Sequence, residues 1–219
     1  VCSSVPPTFQ SKPKEKRLGD VNAAIGNVFV TYRMQPFRRY KVSDPTPKSI
    51  TVLEKDKAHV FAAYDNIICV FKNNQTVVEK DVKFMLSFVD ILVVVDVENT
   101  IRIIDVNECT QILEIPSPPS FEATCIVHPL TYMNKIVLGG SNGEMRLINI
   151  KTGKLVHEFS PKPLFDSAIT CIEQSTVVDI VAIGHANGKI HLRNLKTDEK
   201  LGSFKQDGSI TAISFRHVK

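Results

Sequence analysis

The segment Lys135–Phe159, KIVLGGSNGEMRLINIKTGKLVHEF, decides the fold. It contains three apolar runs separated by two short polar turns. The runs are Lys135–Gly139, Met145–Ile150 and Leu155–Phe159, and the turns are Ser141-Asn142-Gly143 and Lys151-Thr152-Gly153. Glycine and asparagine in such turns supply the positive φ that a tight hairpin needs. The segment therefore predicts a three-stranded antiparallel meander.

The same pattern recurs at Ile180–Phe204 and at Ile91–Ile115. Asn142-Gly143 returns 45 residues later as Asn187-Gly188, and Ile101–Asp105 precedes the matching Met145–Asn149 by 44 residues. A fixed step of this size, with several strands in each step, is typical of β-propeller blades. We therefore predict an all-β protein, a WD-repeat type β-propeller built from four-stranded antiparallel blades.

The repeat divides the chain into an extended basic N-terminal arm, residues 1–20, and a propeller, residues 21–219. About five blades are expected, followed by the first strand of another. The predicted blades are residues 21–43, 49–80, 82–116, 123–160 and 168–207, with the further strand at 209–217. Because complete propellers have about 4–8 blades, we expect a fragment of a larger array that sequence beyond Lys219 closes.

Composition narrows the class of protein. No apolar run approaches the roughly 20 residues of a membrane-spanning helix, and the first 17 residues, VCSSVPPTFQSKPKEKR, show no apolar signal core. The five cysteines lie at positions 2, 69, 109, 125 and 171, without a C-x-x-C pair. This spacing indicates neither a disulfide framework nor a zinc site, and it favours a reducing compartment.

No motif in the sequence indicates catalysis or a bound cofactor. Cys125 and Cys171 each stand between Thr and Ile in predicted innermost strands, where Ala212 fills the same place, so we expect small buried residues and no nucleophile. His185 and His191 lack metal-ligand spacing and are expected at the surface or in loops. Gly139–Gly143 lacks the Lys-Ser/Thr of a phosphate loop and is expected to form a hairpin. We predict no enzyme, no cofactor, no metal and no small-molecule substrate.

Positive charge is concentrated at the N-terminal end. Residues 1–48 contain nine basic and three acidic residues, an excess of +6 against +4 for the whole chain. Such a patch supports non-specific RNA binding or contact with an acidic partner, whereas the alternative is a solvated terminal arm. The residues predicted to make these contacts are Lys12, Lys14, Lys16, Arg17, Arg38 and Arg39.

The chain has no tryptophan, so no Trp-Asp pair ends a blade's third strand. Ile104-Asp105, Ile148-Asn149 and Arg193-Asn194 occupy that place instead. The buried hydrogen-bonded set of typical WD repeats is therefore expected to be largely absent. One such hydrogen bond contributes only about 0.5–1.5 kcal/mol, and burial of one Ile or Leu contributes about 1.5–3 kcal/mol. Apolar packing can replace the set.

Several strings in the chain resemble one family, the WD-repeat subunit of the UTP-B subcomplex of the small-subunit processome. They are His128–Gly139 (HPLTYMNKIVLG), Val178–Gly184 (VDIVAIG), Phe204–Asp207, Ile210–Arg216 (ITAISFR) and Phe61–Tyr64 with Asn66. The resemblance spans about residues 20–219 and is strongest after residue 120. Ile148-Asn149 stands where relatives have Trp-Asn, which indicates a divergent member.

The resemblance implies the first part of two tandem propellers in a nuclear, nucleolar protein. It implies a non-catalytic scaffold in ribosome biogenesis, part of the small nucleolar ribonucleoprotein that processes pre-rRNA to small-subunit rRNA. Expected partners are other UTP-B and processome proteins, with pre-rRNA or small nucleolar RNA contacted directly or through the complex, and no membrane. The alternative is a generic WD-repeat adaptor for protein interactions without an RNA role.

Overall fold

A computed structural model describes residues 81–159 and 167–215 in full, and the backbone of strands between residues 21 and 78. The described elements are all strands, and no helix occurs among them. They are β1 Val21–Ile25, β2 Val28–Tyr32, β3 Pro36–Lys41, β4 Ser49–Val52, β5 Val60–Ala63, β6 Ile68–Val70, β7 Gln75–Val78, β8 Val82–Phe88, β9 Ile91–Asp96, β10 Ile101–Asp105, β11 Thr110–Ile115, β12 Ala123–Val127, β13 Lys135–Gly140, β14 Met145–Asn149, β15 Leu155–Phe159, β16 Ile169–Gln174, β17 Ile180–His185, β18 Lys189–Asn194 and β19 Lys200–Lys205.

Each strand pairs antiparallel with the next strand of the chain in its sheet, because only short turns join them. The first sheet contains β1–β3, the second β4–β7, the third β8–β11, the fourth β12–β15 and the fifth β16–β19. The chain forms two compact units. The first includes β1–β7, and the second includes β9–β19 and all of β8 except its first residue. The predicted all-β fold with four-stranded antiparallel sheets is confirmed.

Burial follows the same order in the third, fourth and fifth sheets. The second strand of each, β9, β13 or β17, is buried at every position after its first residue, whereas the fourth strand, β11, β15 or β19, is mostly exposed. A strand buried on both faces requires packing on both sides of its sheet. One apolar cluster accordingly joins the third sheet to the fourth, and another joins the fourth to the fifth.

A repeated contact joins the innermost strands of neighbouring sheets. The Thr124 hydroxyl donates to the carbonyl of Ile169, 2.6 Å away, and the Thr170 hydroxyl donates to the carbonyl of Ile210. Gly139 lies so close to Ile169 that an added Cβ would come within 2.7 Å of its side chain. Glycine therefore lets the fourth sheet approach Ile169, which begins the fifth.

Residues 210–215 do not form the strand predicted to open a further blade, because no second strand pairs with them within the described residues. Ile210 nevertheless contacts Gly184 as Ile169 contacts Gly139, since an added Cβ on Gly184 would lie 2.6 Å from Ile210 Cγ2. The predicted blade boundaries remain predictions, and residues 1–20 lie outside the described part.

Asp or Asn at the end of each third strand caps the loop that follows. Asn149 Oδ1 accepts hydrogen bonds from the backbone N–H groups of Lys151 and Thr152, at 2.9 and 3.2 Å. Asp105 and Asn194 make the same two contacts in the third and fifth sheets. This side-chain turn fixes the loop without a tryptophan.

Two pairs of polar side chains are buried inside the sheets, although the sequence predicted few buried polar contacts. Arg102 donates from Nη2 to Asp96 Oδ2 at 3.2 Å, with both side chains buried. His185 and His191 were expected at the surface or in loops, and this was wrong: both are buried, and Nδ1 of His191 lies 3.2 Å from Nε2 of His185. Each pair links the end of a second strand to the adjacent third strand. Cross-strand polar contacts thus persist inside two of the blades.

Candidate interaction surface

Two kinds of loop lie at one end of the third, fourth and fifth sheets. The inner loops join the first strand to the second, at residues 89–90, 128–134 and 175–179. The outer loops join the third strand to the fourth, at 106–109, 150–154 and 195–199. In each sheet the outer loop begins with a backbone N–H that donates to a carbonyl of the inner loop, at 2.7–3.0 Å. We call this end of the three sheets the apolar end.

Large apolar side chains are exposed on all three inner loops. Leu130 and Met133 are the most exposed of them, at 77% and 79% of their full areas. Val89 on the inner loop of the third sheet and Val177 and Val178 on that of the fifth sheet are exposed as well. The loops that join the second strand to the third, at residues 97–100, 141–144 and 186–188, expose one large apolar side chain, Val97. Among these described hairpin loops, apolar exposure is therefore greatest on the inner loops.

Contacts between neighbouring inner loops hold the apolar end in place. The rings of Phe88 and His128 stack 3.8 Å apart, and the Thr131 hydroxyl donates to Asp179 Oδ1 at 3.0 Å. Partial burial and the nearby Asp179 carboxylate raise the pKa of Tyr132. The inner loops of adjacent sheets thus form one connected surface.

Val89, on the inner loop of the third sheet, has an unfavourable backbone conformation. Its φ is +54°, in the left-handed region, where a β-branched residue is an outlier. Glycine or asparagine would adopt the same turn at lower cost. Strain of this kind costs of order 1–3 kcal/mol and clusters at functional sites. The turn does not require a valine at this position, and the exposed side chain adds no packing to the core.

Charged side chains of both signs lie on or next to the outer loops of the fourth and fifth sheets. Lys151, Lys154, Lys196 and Lys200 are exposed there, and none forms an ion pair with another described residue. The carboxylate of Asp198 is already engaged, 3.0 Å from His157 Nε2 and 3.1 Å from Arg193 Nη1. Exposed lysines and the exposed Glu199 thus occur on the same side of the sheets as the inner loops.

The described cysteines and histidines form no catalytic or metal centre. Burial raises the pKa of Cys125 to about 12 and raises the pKa of Cys171 and Cys109 as well, so their thiols are poor nucleophiles. Cys125 and Cys171 were predicted to be buried and are half-buried. No group of three His, Cys, Asp or Glu side chains in the described ranges could hold a metal. No helix among them is long and apolar enough to cross a membrane.

The residues predicted to bind RNA or an acidic partner belong to other parts of the chain than the three sheets that carry this surface. Arg38 and Arg39 lie in β3 of the first sheet, where they pair in register with Thr31 and Val30. Lys12, Lys14, Lys16 and Arg17 lie outside the described residues. The sequence did not identify the apolar end, because Leu130, Met133, Val177 and Val178 resemble the ends of strands. The one available signal was their position next to loop residues such as Pro129 and Ser175.

A family model described as the WDR36/Utp21 first beta-propeller matches residues 21–219. WD repeat-containing protein 36 of Homo sapiens is 34% identical over 209 residues, which cover 92% of this chain and 23% of that protein. The U3 small nucleolar RNA-associated protein 21 homolog of Schizosaccharomyces pombe is 30% identical over 207 residues, covering 90% of this chain and 23% of its own length. The chain thus spans about a quarter of these relatives.

Among solved structures, the crystal structure of the computationally designed Ika8 protein matches with a TM-score of 0.72 and 19% identity, over 94% of this chain and 64% of that one. This likeness concerns the fold alone. The resemblance stated from the strings His128–Gly139 and Ile210–Arg216 is confirmed by the family match. The chain therefore belongs to the WDR36/Utp21 family and represents its first β-propeller.

Proposed function

We propose that this chain is part of a non-catalytic scaffold of the small-subunit processome, which acts in pre-rRNA processing in the nucleolus. The observation that carries the proposal is the family match over residues 21–219. The Schizosaccharomyces pombe relative of this chain is named for association with the U3 small nucleolar RNA. The partners would be processome proteins of the UTP-B group, with RNA reached directly or through them.

Features of the described residues support a scaffold over an enzyme. The polar groups buried in the third and fifth sheets, Asp96 with Arg102 and His185 with His191, are engaged with each other inside the sheets. The inner loops of the third, fourth and fifth sheets expose large apolar side chains, which suits contact with another macromolecule. A protein that presents surfaces and holds its polar groups in structural pairs is suited to assembly.

Affinity purification of the full-length protein tests this function. The tagged protein is isolated from its own cells, its partners are identified by mass spectrometry, and U3 RNA is quantified by reverse transcription. We expect processome proteins and U3 RNA to be enriched over a tagged propeller protein of unrelated function. Recovery of adaptor or trafficking proteins without U3 RNA would contradict the proposal and favour the generic adaptor.

We also propose that the basic residues near the N-terminus contact RNA or an acidic partner. Reversing the charge of these residues should weaken RNA association and flatten its dependence on salt. Replacing the three lysines of the set with arginine provides a matched control, because the charge is kept. RNA association unchanged by charge reversal would refute this assignment. The residues are Lys12, Lys14, Lys16, Arg17, Arg38 and Arg39.

A further inference from the structure

We propose that Ser117 is a phosphorylation site for a proline-directed protein kinase. The residue lies in the connection 116–122, which joins the third sheet to the fourth and begins Pro116-Ser117-Pro118-Pro119-Ser120. The inference goes beyond the scaffold role and does not depend on it. ATP supplies the phosphoryl group. The Ser117 hydroxyl oxygen bonds to the γ-phosphorus, the bond from that phosphorus to ADP breaks, and the hydroxyl proton passes to the catalytic carboxylate of the kinase.

The connection is anchored on both sides of Ser117 and uncovered between the anchors. Ile115 and Phe121 pack in the apolar cluster that joins the third sheet to the fourth, and they are only 8% and 1% exposed. Of the five residues between them, Ser117 is partly exposed and the other four are exposed. The Ser117 hydroxyl forms no hydrogen bond with another described residue. The proposed acceptor therefore lies outside the core.

The backbone around Ser117 suits a kinase, which holds its substrate segment extended. A residue that precedes proline is restricted to extended conformations, and Pro118 imposes this on Ser117. Proline has no N–H, so Pro116, Pro118 and Pro119 cannot donate to a neighbouring strand. The Phe121 N–H donates to the Pro118 carbonyl, at 3.0 Å, and closes a turn after the site. A segment with so few backbone donors can open locally at low cost.

The local sequence selects the class of kinase. No Lys or Arg lies within ten residues of Ser117 on either side, which excludes kinases that select basic residues near the acceptor. Kinases that require a carboxylate three residues after the acceptor find Ser120 there. Pro118 directly follows Ser117, which leaves the kinases that recognise this proline. Within the described residues no other Ser or Thr precedes a proline, and Thr46-Pro47 and Ser160-Pro161 lie outside them.

A phosphate on Ser117 would add charge to the surface of the protein and leave its fold intact. The nearest charged side chains along the chain are Glu114 and Glu122, which are acidic. Glu114 already contacts Arg102, and Glu122 already contacts Lys83, at 3.0 Å. Phosphoserine carries about −1.5 to −2 charges at pH 7. Because water screens exposed charges, the repulsion should cost little stability, and the phosphate should remain available to a partner.

Phosphorylation of the full-length protein by purified kinases tests the proposal. The protein is treated with phosphatase, incubated with ATP and a proline-directed kinase, and mapped by mass spectrometry, with a kinase that requires basic residues as the control enzyme. We expect phosphate on Ser117, formed at least about tenfold faster than in Pro118→Ala, which keeps the hydroxyl and removes the proline. Ser120 lies in the same connection without a following proline and should stay unmodified.

Phosphopeptide mapping of the protein isolated from dividing cells completes the test. We expect phosphate on Ser117, its loss in Pro118→Ala, and melting temperatures of Ser117→Asp and Pro118→Ala within about 2 °C of the unsubstituted protein. An unmodified Ser117 in either experiment, an equal rate in Pro118→Ala, or phosphate on Ser120 instead would overturn the inference. A larger fall in the melting temperature of Ser117→Asp would refute the placement of the site outside the core.

Discussion

Arg102 and Arg146 occupy the same position in two successive blades, yet replacing them with methionine should have very different effects. Arg102 contacts Asp96, whose side chain is only 2% exposed. Arg146 contacts Glu144 and Glu158, whose side chains are 28% and 48% exposed. Methionine retains most of the packing of the arginine stem in both cases. The two variants therefore differ mainly in how deeply the carboxylates that lose their cation are buried.

The magnitudes follow from the surroundings of each partner. Arg102→Met leaves a buried carboxylate without its cation, and such a change costs about 3–5 kcal/mol. We take the lower figure for Asp96, because the backbone N–H groups of Glu98 and Thr100 still donate to it, at 3.0 and 2.8 Å. Arg146→Met loses exposed ion pairs worth about 0–1 kcal/mol and a contact with the Phe121 ring, at 4.3 Å, worth about 0.5–1 kcal/mol.

Hydrogen exchange followed by mass spectrometry measures both effects locally. In Arg102→Met, exchange of the amides of β9 and β10 should accelerate by about 100-fold, the equivalent of about 3 kcal/mol. In Arg146→Met, exchange in β13 and β14 should accelerate by about tenfold or less. Equal acceleration in the two variants would refute the reasoning that burial of the carboxylate decides the cost.

Three further predictions use single positions. Gly184→Ala should lower the free energy of unfolding by about 1–3 kcal/mol, because its Cβ would lie 2.6 Å from Ile210 Cγ2. Gly202→Ala is the control, because its nearest neighbour is at 4.0 Å, and it should change the free energy of unfolding by less than about 0.5 kcal/mol. Thermal unfolding of the two variants measures the difference. Cys125, with a pKa of about 12 against an ordinary 9.0, should be alkylated at pH 8 about 1000-fold more slowly in the folded chain than in urea, and equal rates would contradict its burial. Burial, and to a smaller extent nearby cations, lower the pKa of His191 to about 4. As the pH falls, the unfolded chain therefore binds the proton before the folded chain does, and the free energy of unfolding should fall by about 1–2 kcal/mol from pH 6.5 to 4. In His191→Gln this part of the pH dependence should disappear.

The fold was predictable because its signals are local. Strands such as β13 and β17 are apolar runs followed by turns that contain Asn-Gly, and Gly143 and Gly188 adopt the positive φ that those turns require. The burial of His185 was not predictable in this way. Its partner His191 lies on the adjacent strand, and only the register of β17 with β18 brings the two rings together.

The candidate site was harder to predict for a related reason. A leucine such as Leu130 has the same hydropathy on a core strand as on an exposed loop, so periodicity cannot show which side chains remain uncovered. The basic residues were identified from charge alone, and their contacts stay a prediction. The pairing of Asp96 with Arg102 likewise depends on two strands lying side by side, which the spacing of the residues does not reveal.

The Asp or Asn cap that ends each third strand has a consequence for how these repeats diverge. Asn149 shapes its loop through its own side-chain oxygen, so the preceding residue, Ile148, is free to change as long as it stays apolar. Selection can then discard the tryptophan of a repeat while the blade keeps its outer turn. Searches for distant members of the family should weight the Asx residue above the aromatic one, since a profile built on Trp would pass over such blades.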